Sequence, residues 1–349
     1  MNRIWLKRAV ALVVFIISLF VVDFILNKDN SELTMDMPKA TLPIVSVLSG
    51  EYKINTMYGY TSRREEAYTK DSITPISPDR RISLVIDTYQ SDIKSVAYEV
   101  RSVDGDRLIE GGDIAVLQKM PGKIQFSIQL KDLIEENKEY SFVTVLTMED
   151  EEKVYYYTRF IQSENYYEKE KLDFITFFHN TTFGDDGTEI KKYLESNSQG
   201  DNTNFHKVDI HSDLSQVMWD MLPVEKVEDP IILIKDITTQ TAGIVLKYLV
   251  KETGITGGNY YFIEEYYRVR YTPNRMYLLE YERTMDEIFG ADKESFSNDK
   301  VNLGITDEDV SMVESEGGKN LAFINANRLF VYSNIDNKLA EVFSFYNKN

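Results

Sequence analysis

NYYFIEEYYRVRYTPNRMYLLEYER, residues Asn259–Arg283, carries the clearest structural pattern in the chain. Aromatic and β-branched residues fill both ends and Thr272, Pro273 and Asn274 interrupt them, the pattern of two strands joined by a turn. Alternation places Tyr267, Val269 and Tyr271 on one face and Tyr266, Arg268 and Arg270 on the other. The first face is expected to meet a core, and the arginines to point outward toward Glu280 and Glu282 of the return strand. A lone hairpin is marginal in water, so its neighbours must complete a sheet. IILIKDI (Ile231–Ile237) and GIVLKYLV (Gly243–Val250) are the nearest strands, and KETGITGG before the hairpin reads as a turn, without the lysine and hydroxyl of a phosphate loop.

Moving toward the N-terminus, SNSQGDNTN (Ser196–Asn204) is a polar boundary. Before it, Tyr167, Phe174, Phe177 and Phe178 share one side at helical spacing, widened by Leu172 and Ile175. A helix is therefore predicted over Glu164–His179, although Glu170 and Lys171 fall within or beside its stripe. Earlier still come ISLVIDTY, IKSVAYEVRS, KIQFSIQL, YSFVTVLTM and KVYYYTRFI, between Ile82 and Ile161. Short strands so closely spaced, with an Asp-Gly turn at Asp104–Gly105, predict an antiparallel sandwich of immunoglobulin or fibronectin type over 81–162. Residues 28–80 carry Pro38, Pro43, Pro75 and Pro78 and read as a juxtamembrane linker with a short strand at Tyr52–Met57. Arg63, Arg64, Glu65 and Glu66 within it read as a solvated turn.

The chain opens MNRIWLKRAVALVVFIISLFVVDFILNKDN. Arg3, Lys7 and Arg8 precede an uncharged run from Ala9 to Val22, and residues 4–26 are long enough to cross a bilayer if the basic side chains snorkel. The basic flank predicts a cytoplasmic N-terminus and an extracytoplasmic remainder. No small-x-small cleavage site follows Val22, so an uncleaved signal-anchor, 1–27, is expected in place of a signal peptide. The expected location is thus the cell membrane, single-pass, with the bilayer as a partner.

Composition narrows the chemistry. With 57 acidic and 39 basic residues the net charge is −18, a field that repels nucleic acid. No cysteine is present, which removes disulfides and thiol catalysis. No G-x-S-x-G, G-x-G-x-x-G or Walker A pattern occurs. The three histidines are His179, His206 and His211. In an extended chain Asp209, His211 and Asp213 share a face while His206 points away, a weak ligand set for zinc. Asp185, Asp186 and Glu189 lack the spacing of a calcium loop, and Thr188 reads better as a helix cap. No metal and no cofactor is expected. Glu264 and Glu265 are adjacent in a strand, so their side chains diverge and form no glycosidase pair by themselves.

The surface candidates are Tyr260, Phe262, Tyr266, Arg268 and Arg270, aromatic and guanidinium groups suited to stacking on a partner protein or a sugar. At the C-terminus, ANRLFVY (Ala326–Tyr332) and LAEVFSFY (Leu339–Tyr346) flank a polar turn. This hairpin, within 321–346, resembles the opening blade of a β-propeller. The resemblance implies a larger repeat domain beginning where the chain stops, since one blade cannot bury both faces. The expected architecture is mainly β: an N-terminal transmembrane helix (1–27), a linker (28–80), a β-sandwich (81–162), a helical connector (163–204), an α+β domain built on the long antiparallel hairpin (205–320) and a C-terminal hairpin (321–349). The expected function is a membrane-anchored extracytoplasmic module that binds a protein or envelope component without catalysis. The alternative is an envelope-associated carbohydrate-active enzyme using carboxylates.

Overall fold

The computed structural model describes residues 42–288 except 90, 199, 201, 221 and 255–258, residues 311–344 except 326, 327 and 337, and residues 8, 15, 18, 34, 35, 296, 297, 300 and 301. The chain divides into two compact units, Thr41–Ile288 and a second made of Met1–Ala40 with Phe289–Asn349.

In the larger unit, β1 (Ile44–Ser49), β2 (Tyr52–Met57), β4 (Arg81–Asp87), β7 (Gln118–Met120) and β8 (Lys123–Gln129) form one layer. The other layer is β3 (Ile73–Ile76), β5 (Ile93–Ser102), β6 (Leu108–Asp113), β9 (Glu139–Met148) and β10 (Lys153–Gln162), in the order β3-β10-β9-β5-β6. Alternation turns Val45, Val47, Ile82, Leu84, Ile86, Ile124, Phe126 and Ile128 inward. They share a core with Val96, Val100, Phe142, Leu146, Tyr156 and Phe160 of the facing sheet. The prolines of 28–80 do not make that stretch wholly a linker: Pro75 lies inside β3, whose parallel partner is β10, and β1 and β2 are inner strands of the first layer.

Beyond α1 (Glu168–Thr182) and a short α2 (Thr188–Lys191) come β11 (Lys207–Asp209), α3 (Leu214–Val217) and β12 (Val224–Lys226). The antiparallel meander β13 (Ile231–Ile237), β14 (Thr241–Glu252), β15 (Tyr260–Thr272) and β16 (Arg275–Glu287) follows. This sheet does not stop at its own edge. Its β13 runs parallel to β2 at Ile232 and Ile54, giving an eleven-stranded mixed sheet. Asn55 makes the join. Its backbone is left-handed (φ 49°), its Nδ2–H groups donate to Ile73 O and Thr74 Oγ1, both at 2.9 Å, and its Oδ1 accepts the Ile234 N–H at 2.9 Å. The boundaries expected at 80/81, 162/163 and 204/205 all fall inside this single unit.

The smaller unit holds β17 (Met312–Glu314), β18 (Asn320–Asn325), β19 (Arg328–Ser333) and β20 (Lys338–Ser344), antiparallel in chain order. The two-residue strand Thr34–Met35 adds in parallel to β20. Phe323 stacks on Phe330 at 5.2 Å within it.

The mainly β character is as read from the sequence, but the transmembrane helix is corrected. Among the described residues no helix is long and apolar enough to cross a membrane. The span assigned to it, 4–26, lies outside the described residues apart from Arg8, Phe15 and Ser18. The signal-anchor, the bilayer as partner, the cell-membrane location and the membrane-anchored, extracytoplasmic function built on that helix are therefore not carried further.

Candidate functional site

The hairpin and α1 meet around one acid. On β15 the residues facing α1 are Ile263, Glu265, Tyr267 and Val269, so alternation itself carries a carboxylate into the core. Glu265 is fully buried and answered from four sides. Tyr248 and Tyr281 donate to Oε1 at 3.0 and 3.4 Å, and Tyr267 donates to Oε2 at 2.8 Å. His179 of α1 contacts the same Oε2 through Nδ1 at 2.8 Å. A carboxylate can only accept, which makes Nδ1 the protonated nitrogen and turns Nε2 toward the Lys226 ammonium at 3.5 Å. Burial pushes the Glu265 carboxyl up, yet His179, Arg283 and Tyr267 outweigh it and the net shift is downward. Arg283 is its cross-strand neighbour, also fully buried, with its guanidinium 3.5 Å above the Trp219 ring and donating to Gln216 O and Val217 O. Glu265 and His179 are 0% and 1% exposed, so this cluster clamps α1 to the sheet and offers a ligand no approach.

Solvent reaches chemistry at the other end of α1. The β1–β2 turn, the end of β3, the start of β4 and the segment leading into α1 enclose a cleft of about 380 Å³. Ser49, Ser77, Asp79, Arg81, Tyr166 and Glu168 line it beside Val47, Pro75, Ile76 and Ile82. The entry to α1 is strained: Tyr167 sits in the left-handed region (φ 48°), gives the helix no side-chain cap, and stacks on Tyr271 with ring centroids 4.1 Å apart. Lys171, one turn on, is wholly buried and donates to Tyr166 O and Thr238 O, each at 2.7 Å, tying the start of α1 to the β13–β14 turn. Burial pulls that ammonium down to about 8.

Two residues of the cleft wall hold polar atoms shut away from solvent. Tyr166 is 6% exposed, with Ser163 the side chain that meets its hydroxyl, while Glu168 has Ser49 as a side-chain partner and its Oε1 accepts nothing. Burial pushes the Glu168 carboxyl up to about 7, against smaller opposing effects from Ser49 and Lys171. The dominant influence is loss of hydration, which disfavours the charged form.

The residues singled out from the sequence lie elsewhere. Tyr260, Phe262, Tyr266, Arg268 and Arg270 share the face of β15 opposite Glu265. Phe262 is buried, Tyr260 carries Lys251 over its ring at 5.4 Å, and Arg270 lies over Tyr277 at 4.7 Å. Arg268 stands opposite Glu280 in register but pairs with Asp236 at 3.0 Å, while Glu282 takes Lys207 at 2.7 Å. The metal-like set is dispersed: Asp209 Oδ1 accepts the His211 N–H, His211 Nδ1 meets Asn197, and His206 Nδ1 faces Met285 O. Among the described residues no group of three His, Cys, Asp or Glu is placed to hold a metal. The carbohydrate-active alternative gains no active-site evidence either: Glu264 is tied to Lys247 at 2.9 Å and Glu265 is sealed. The envelope protein or glycan partner rested on the anchor and on this face, and the structure adds no support for it.

Glu265 was visible in the sequence as the lone acid on the apolar face of the strand. Tyr166 and Glu168 carried no such mark, since their cleft is assembled from four separate parts of the chain. The Arg63–Glu66 stretch also reads differently in three dimensions: Arg63 bonds Glu99 at 2.7 and 3.1 Å, and Glu66 is buried beneath Arg63 and Arg101.

No protein-family model and no curated protein matches this chain.

Proposed function

We propose that residues 41–288 form a ligand-binding module that takes a small organic molecule in the cleft at the start of α1. The observation that carries this reading is the cleft itself, about 380 Å³ lined by Ser49, Ser77, Asp79, Arg81 and Glu168 beside apolar side chains. A buried polar atom without a partner costs about 1–3 kcal/mol, so Glu168 Oε1 at its edge calls for an explanation. A ligand that draws the Glu168 carboxyl into the cleft supplies it. The left-handed Tyr167 beside it supports the same reading, because backbone strain concentrates where a fold holds groups for binding. The Glu265 cluster supports the same end-to-end placement of α1, held near its C-terminus by His179 and near its N-terminus by Lys171.

The test is saturation-transfer NMR on the full chain with a library of small polar fragments. Hits are expected for the wild type and are expected to vanish when Tyr166→Phe and Glu168→Gln are combined. Hits that persist in the double variant place the binding elsewhere and end this reading.

A further inference from the structure

A second cleft, of about 490 Å³, opens on the sandwich and shares no lining residue with the first. Three parts of the chain enclose it: Lys70 ahead of β3, the β5–β6 turn with the start of β6, and the segment from Leu133 into β9. Local chemistry fixes two of these walls. Gly105 takes the left-handed backbone (φ 82°) that the turn requires and donates its N–H to Ser102 O at 2.8 Å, while Ser102 Oγ accepts the Arg107 N–H at 3.0 Å. Across the opening, the Glu135 N–H donates to the Tyr140 hydroxyl at 2.9 Å and the Lys131 N–H to Glu110 Oε2 at 2.8 Å.

The acids of this cleft are answered within the chain, and two of its bases are not. Glu135 takes Lys138 at 2.8 Å and Glu139 takes Arg159 at 2.7 Å. Asp104 receives the Ser102 hydroxyl and the Asp106 N–H. Lys70 and Arg107 are exposed, and among the described residues neither forms an ion pair. Each is nevertheless felt on the opposite wall. The Ser102 hydroxyl and, more weakly, Lys70 hold the Asp104 carboxyl below its ordinary value, and Lys138 and, more weakly, Arg107 do the same for Glu135. We infer that this cleft binds a small organic anion, a carboxylate or phosphate on an apolar body, with Arg107 and Lys70 meeting the charge and Ile109 and Leu133 the body.

Each half of such a ligand answers a feature of the walls. A guanidinium offers a rigid fork of donors to two oxygens at once, and an ammonium adds a compact positive charge. Leu133 is 56% exposed beside the half-buried Ile109, so an apolar body removes both from water. The opposing consideration is the net charge of −18, which repels anions at a distance. Salt screens that field beyond about 8 Å at physiological ionic strength, whereas Arg107 and Lys70 act at contact.

Isothermal titration of the full chain with phenyl phosphate and benzoate, with benzyl alcohol as neutral probe and benzylamine as cationic probe, tests this. At least one anion is expected to bind, to weaken about tenfold when Lys70→Gln and Arg107→Gln are combined, and to be unaffected by Glu168→Gln in the other cleft. Both substitutions are at exposed positions, and circular dichroism checks that the fold is kept. Tighter binding of phenyl phosphate assigns a phosphate head, and tighter binding of benzoate a carboxylate. Benzyl alcohol or benzylamine binding as tightly as the anions overturns the role of charge. Anion binding that the double variant leaves unchanged, or that Glu168→Gln weakens as much, lies outside this cleft and overturns the assignment, as does silence from both anions.

Discussion

Two acids of this molecule, Glu265 wholly buried and Glu168 half-buried, have opposite fates, and the difference lies in their donors. Glu265 loses all its water but gains three hydroxyls, an imidazole and a neighbouring guanidinium, and stays ionised. Glu168 loses much of its water and gains little, so it holds its proton up to about pH 7. The consequence for stability has a definite sign. Below the ordinary carboxyl value of 4.5 the group is protonated in both states and contributes nothing. As pH rises toward 7 the unfolded chain releases its proton first, so stability falls across that window and levels off above it. One pKa unit is about 1.4 kcal/mol, and with allowance for partial exposure the total loss is roughly 2 kcal/mol. Urea unfolding of wild type and Glu168→Gln should show the variant gaining that amount above pH 7 and the difference closing near pH 4.5. A gap that stays constant with pH would contradict the raised carboxyl.

At the scale of elements, β2 and β13 are joined through very little regular pairing, a single register position at Ile54 and Ile232. Asn55 compensates with three side-chain bonds, to Ile73, Thr74 and Ile234. Asn tolerates the left-handed backbone better than most residues, and its amide both donates and accepts, which the join requires. Asn55→Ala strands those groups in a buried site, where each costs about 1–3 kcal/mol. The expected loss is roughly 3–5 kcal/mol in a denaturation experiment. Asn55→Gly, which loses the same three bonds but relieves the left-handed backbone, should be nearly as damaging, and a mild effect from either would show that the strand contact alone holds the join. The helix α1 follows the same logic: Lys171 looks like a flaw in its apolar stripe but serves as an anchor, while Phe177 of the predicted stripe is 38% exposed.

For the larger unit as a whole, one hydrophobic cluster runs from Val45 in the sandwich to Tyr281 in the hairpin, and one sheet spans both. Cooperative unfolding is the physical result of such continuity. Native-state hydrogen exchange should find the slowest amides of β9 and of β15 released by the same opening, with the same dependence on denaturant. Two separate openings would show that the sandwich and the hairpin sheet are distinct folding units despite the shared sheet.

Legible along the chain alone were the mainly β character, the strands of the sandwich, the turn at Thr272–Asn274 and the facing of Tyr267 and Val269, which are fully buried. These follow from alternation and turn chemistry, which act over a few residues and are written locally. The partners of the outward charges were not written there: Arg268 takes Asp236 in preference to Glu280, because a bulge in β16 and the neighbouring strand β13 decide what lies within reach. It took the assembled fold to settle that β13 would join β2, that Lys171 would be an anchor, and that Glu168 Oε1 would be left without a partner beside a cleft. Each depends on residues far apart in the chain, and no periodicity within a segment can encode whether a distant group arrives to satisfy it.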